Sequence, residues 1–71
     1  MLDVQPTRVW HEWEFDGRER RITLCLETSL EMRPGHHGFD ANAMDSLILT
    51  AAQIMRDSPS PIDGFRIVPC R

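Results

Sequence analysis

The chain has 71 residues, 41% of them apolar and 27% charged, with a net charge of −3. That profile belongs to one small soluble-type domain and excludes a disordered polymer, a membrane-spanning chain and a general nucleic-acid binder. The last draws its affinity from an excess of Lys and Arg over the acidic residues. All eight basic side chains are arginine, which reads first as GC-rich coding bias, although arginine also suits protein interfaces.

The opening stretch MLDVQPTRVW holds no apolar run of signal-peptide length, so a cytoplasmic location is expected, with no membrane association. Two cysteines, Cys25 and Cys70, are too few for a disulfide scaffold and read as free thiols. A domain of this size buries only about 60% of its unfolded surface, so a partner or a second copy would add useful burial.

The first elements are two strands around Asp16-Gly17, a strong hairpin turn signal. With those two residues as the loop, Phe15 faces Arg18, Trp13 faces Arg20, His11 faces Ile22 and Val9 faces Leu24. One face then carries Val9, Trp13, Phe15, Ile22, Leu24 and Leu26. The other carries Arg8, Trp10, Glu12, Glu14, Arg21, Thr23, Cys25 and Glu27. Widening the loop by two residues keeps the same faces. The apolar alternation continues through Thr28, Leu30 and Met32, so the hairpin is expected over residues 7–32, its second strand bending towards Arg33.

RPGHHGFD forms a loop over residues 33–39, after which Asp40 is placed to cap a helix running over residues 40–57. Phe39 is positioned to staple onto Met44, and SPSP stops the helix. Ala43, Met44, Leu47, Ile48, Ala51, Ala52, Ile54 and Met55 cover almost half of the helical cylinder. Leu49 falls outside that arc, among polar neighbours. A last strand, residues 65–70, places Phe65 and Ile67 on one side and Arg66, Val68 and Cys70 on the other. Pro69 marks it as an edge strand.

The expected fold is therefore α+β with order β-β-α-β: a three-stranded, mainly antiparallel sheet and one helix packed on one face. A right-handed crossover is expected to set the third strand beside the first, in spatial order 2-1-3. That order keeps Cys25 and Cys70 apart; pairing of the third strand with the second would instead make a disulfide possible. The helix is expected over Trp13, leaving the Trp10 face open to solvent.

On that open face, Trp10, Arg8, Arg21, Arg66 and Val68 are the candidate partner-binding residues, with Leu49 on the helix as an addition, because Trp and Arg dominate binding hot spots. The plainer alternative lays Trp10 across Thr23 with Arg8 or Arg21 stacked on it. A single-stranded nucleic-acid platform would need two or three stacking aromatics in a basic surround, whereas this face has one Trp and four hairpin glutamates. His36-His37 could mark a metal-binding regulator, but neither CxxC nor HxxxH spacing accompanies the pair, and a polar loop is the simpler reading.

His11 reads as a boundary residue, and Glu12/Glu14 and Glu27/Glu31 as a solvated strand face. No nucleophile has a recognisable base and orienting group, and the core is too small to hold a pocket of several hundred Å³. No enzyme activity, catalytic residue, metal or cofactor is expected.

The closing DGFRIVPCR, after a hairpin and one helix, resembles the small phage-encoded inhibitors of bacterial RNA polymerase. The shared features are the strand–strand–helix–strand order and a Gly64-Phe65 strand closing on Pro69-Cys70. The likeness covers the element order of most of the chain but few identities, and the loop EMRPGHHG has no counterpart. It implies a class: compact acidic phage or mobile-element proteins that bind and block a host machine. Anti-CRISPR proteins share that size. The expected function is thus a non-catalytic inhibitor or regulator that engages a bacterial protein complex through the open sheet face, compatible with a homodimer.

Overall fold

The computed structural model describes residues 4–70. Met1, Leu2 and Asp3, part of the stretch read for a signal peptide, lie outside the described residues, as does Arg71. The elements are β1 (Arg8–Asp16), β2 (Glu19–Thr28), α1 (Ala41–Asp57) and β3 (Gly64–Pro69). They form the expected α+β arrangement, one helix on a mainly antiparallel sheet.

The hairpin register differs by two residues from the Asp16-Gly17 expectation. Asp16 pairs with Glu19, Trp13 with Ile22, His11 with Leu24, Trp10 with Cys25 and Val9 with Leu26, so Gly17-Arg18 is the loop. Gly17 has φ of +65° and no non-glycine residue described has positive φ. This is the type II′ pattern, with glycine first; an Asp16-Gly17 loop of type I′ would force Asp16 to positive φ. Because the shift is even, both faces keep their predicted residues.

Sheet order is β1-β2-β3, with β3 parallel to β2, rather than the expected 2-1-3. The cause lies in β2. Leu24, Cys25 and Leu26 are fully buried, and Thr28 nearly so. A strand apolar on both faces is stable only between neighbours, whereas β1 carries four charged residues and suits an edge. Asp63 fixes the parallel junction: its backbone N–H donates to the Ile22 carbonyl at 2.9 Å, and its carboxylate accepts from the Ile22 N–H at 2.7 Å. At the far end Cys70 donates to the Thr28 carbonyl at 2.8 Å.

β2 stops at Thr28 instead of running on to Arg33. The Thr28 hydroxyl there accepts from the Leu30 N–H at 3.1 Å, a local bond that competes with continued strand pairing.

α1 begins as expected. The Asp40 carboxylate accepts from the N–H groups of Asn42 and Ala43 at 2.9 and 3.2 Å. Replacing Asp40 by Ala should lower the unfolding free energy by about 1 kcal/mol, read as an earlier denaturant midpoint with an unchanged slope. The buried stripe of α1 is narrower than the predicted arc: Ala43, Leu47 and Ala51 are buried, while Ile48 and Ala52 are exposed. A three-stranded sheet gives the helix one central strand to sit on. Leu47 and Ala51 pack with Leu24 and Leu26, and Ile54, Met55, Ile62 and Ile67 close round them.

Candidate interaction surface

The six residues singled out from the sequence do not form one patch. On the face away from α1, the register aligns Arg8, Glu27 and Val68 in one row and Trp10, Cys25 and Arg66 in the next. Arg21 lies nearer the hairpin tip, opposite Glu14. Leu49, 69% exposed, is on the helix, which packs against the opposite face.

Three of the six converge. The Arg8 guanidinium lies 4.5 Å from the centre of the Trp10 ring. The indole N–H of Trp10 donates to Glu12 at 3.4 Å. Glu12 is ion-paired with Arg66, which also donates to the Cys25 sulfur at 3.7 Å. The Trp10 bond first, and then the Arg66 charge, hold the Glu12 carboxyl below its ordinary range. Together these side chains close over Cys25, whose thiol is pushed up by burial.

Arg8 is one of the two stacking partners foreseen in the plainer reading of Trp10, but the register sets Trp10 opposite Cys25 rather than Thr23. The face is thus largely engaged with itself, and Trp10 is partly buried. Cys25 and Cys70 are both free although β3 pairs with β2, since Cys25 lies opposite Arg66, well back from Cys70. Cys25 is buried and Cys70 exposed. A thiol reagent should therefore modify Cys70 alone in the native protein and reach Cys25 only after denaturation; equal native rates would contradict the closed cluster.

The larger exposed apolar surface lies on the other side of β1. Sequence reasoning placed Val9, Trp13 and Phe15 beneath the helix, but they are 40%, 55% and 74% exposed. The strand order is the reason: α1 bridges β2 and β3, and its apolar stripe seats on β2, leaving the same face of β1 uncovered. Arg20 stacks on Trp13, 4.9 Å from the ring centre. Between β1 and the α1–β3 connection runs an open groove of about 520 Å³, walled by His11, Trp13, Ile22, Pro59, Pro61 and Ile62. A pocket of several hundred Å³ was not expected in a chain with so small a core; it arises between the sheet edge and the SPSPID segment.

The signal that could have located this surface is the run ITLCL, which marks the second strand as central and therefore the first as an edge.

His36 and His37 are exposed in a turn where the Phe39 N–H donates to the His36 carbonyl. Among the described residues no three His, Cys, Asp or Glu side chains come together to hold a metal ion. No helix among them is long and apolar enough to cross a membrane. No protein-family model matches the chain, and neither does a curated protein or a solved structure.

Proposed function

We propose that this chain is a non-catalytic protein-interaction module that binds its partner through the helix-side surface of β1. The observation that carries this reading is the exposure of Val9, Trp13 and Phe15 on one face of β1, beside a groove whose wall mixes apolar residues with Arg20, Ser58, Ser60 and Asp63. Trp13 and Phe15 are neighbours in that row, with exposed His11 between them and Val9, and large apolar side chains exposed together on so small a domain mark a surface that a partner covers. The row has the composition of an interface core, two aromatics and an aliphatic, with Arg20 stacked at its margin. The Trp10 face offers less, since Arg8, Arg66 and the Trp10 indole N–H already have partners within the chain.

The small acidic form and the β-β-α-β order support placing the module among inhibitors or regulators of bacterial macromolecular complexes, of the phage-inhibitor or anti-CRISPR kind, acting in the bacterial cytoplasm. The test begins with a protein captured from bacterial lysate and then purified. Its affinity for the wild type is compared with that for Trp13→Ala and for Trp10→Ala by titration calorimetry. A large loss with Trp13→Ala supports the assignment; wild-type affinity in both variants overturns it.

A further inference from the structure

We infer that β1 pairs with β1 of a second copy of this chain, antiparallel and centred on Glu12, to join two sheets into one of six strands. This goes beyond the partner-binding reading and does not depend on it, because it uses the backbone edge of β1 rather than its side-chain face.

The edge is defined by hydrogen-bond direction. In β2, Ile22 turns both its N–H and its carbonyl towards Asp63, and the Thr28 carbonyl faces Cys70, so the even-numbered residues of β2 bond to the β3 side. Their partners in β1 are Val9 opposite Leu26, His11 opposite Leu24, Trp13 opposite Ile22 and Phe15 opposite Arg20. These four therefore direct their N–H and carbonyl groups outward, away from β2. β3, the other edge, is shorter and ends at Pro69. β1 spans 9 residues and has neither proline nor lysine, so its remaining protection against pairing is the charge of Arg8, Glu12, Glu14 and Asp16.

The sequence of β1 selects a second copy as the occupant. Its first residue is Arg8, and its second half carries Glu12, Glu14 and Asp16. A parallel copy would set Arg8 beside Arg8 and each acid beside itself. An antiparallel copy centred on Glu12 uses all nine residues and sets Arg8 against Asp16 at both ends. The outward-directed residues then meet one another, Val9 with Phe15 and His11 with Trp13, each pair able to exchange two backbone hydrogen bonds. The exposed side chains of both copies fall on one face as cross-strand pairs. Moving the centre to Trp13 would oppose Glu12 to Glu14, and moving it to His11 would leave Phe15 opposite Thr7, outside the strand. The remaining cost is Glu12 against Glu12 at the dyad, moderated because Arg66 already pairs with each.

Hydrogen exchange followed residue by residue on the wild-type protein tests this without a variant. The amides of Val9, His11, Trp13 and Phe15 should exchange freely in dilute solution and become protected, by about tenfold or more, as concentration rises and sedimentation reports two chains. Those of Trp10, Glu12 and Glu14, bonded to β2, should be protected throughout. His11→Pro removes an outward N–H and no bond within the hairpin; it should remain folded by circular dichroism and sediment as a monomer. A wild type that stays monomeric at high concentration overturns the inference. So does a dimer in which those four amides remain unprotected. A monomer that still binds a partner would end the self-pairing alone, and a dimer that binds no partner would end only the proposed function.

Discussion

Leu47→Ala should destabilise the domain by about 2–5 kcal/mol, the range for truncating a fully buried leucine whose surroundings cannot collapse to fill the space. Leu47 has no exposed surface and sits where α1 meets Leu24 and Leu26. A chain of 71 residues has a total stability on the order of 4–11 kcal/mol. The substitution would thus consume a large share of it and leave a measurable unfolded fraction at 37 °C. Denaturant titration should show the midpoint falling steeply while the slope keeps its value. Leu49→Ala, two positions along the same helix but 69% exposed, should change stability by less than about 0.5 kcal/mol. Equal losses from the two variants would mean that the helix is seated on a different face.

The contrast between those leucines was legible in the helical period, and so were the Asp40 cap and the sorting of the hairpin into two faces. Each follows from local rules: an acceptor side chain for orphan N–H groups, and side chains that alternate along a strand. The hairpin register was legible only to within two residues, since alternation is unchanged by an even shift, and the choice fell to Gly17, whose positive φ suits the first position of a II′ loop.

Strand order was harder to read because it is decided by residues far apart in the chain. Asp63 clasps Ile22 across 41 positions, and nothing near either residue announces the pairing. One physical signal was present nevertheless. β2 carries Ile22, Leu24 and Leu26 on one side and buried Cys25 beside an uncharged Thr23 on the other, while β1 alternates with charges, so burial favours β2 as the central strand. Which tryptophan is exposed follows from that order, not from the hairpin. The two indoles do point to opposite faces, as their spacing requires. The helix, however, covers β2, so Trp13 on the helix side is open, whereas Trp10 on the far side is partly covered by its own neighbours.

That reversal sets the expected ranking of the two tryptophans in partner binding. Trp13→Ala should weaken binding by at least about thirtyfold, the effect of losing an interface hot spot worth about 2 kcal/mol. The indole is 55% exposed, flanked by Phe15, Val9 and the groove, and Arg20 already holds its ring in place. Little ordering cost then remains to be met on binding. Since so much of the ring is already in water, the unfolding midpoint of the variant should move only slightly. Trp10→Ala should weaken binding by less than about threefold, because its indole is committed to Arg8 and Glu12 and offers a partner few unmet contacts. Its removal should instead uncover Cys25, detectable as faster reaction of that thiol in the native protein. If Trp10→Ala proves the more damaging to binding while Trp13→Ala binds as the wild type does, the contact surface belongs on the far face of the sheet. Arg66 and Glu12 would then have to release one another to receive the partner, and the affinity would be expected to depend on salt.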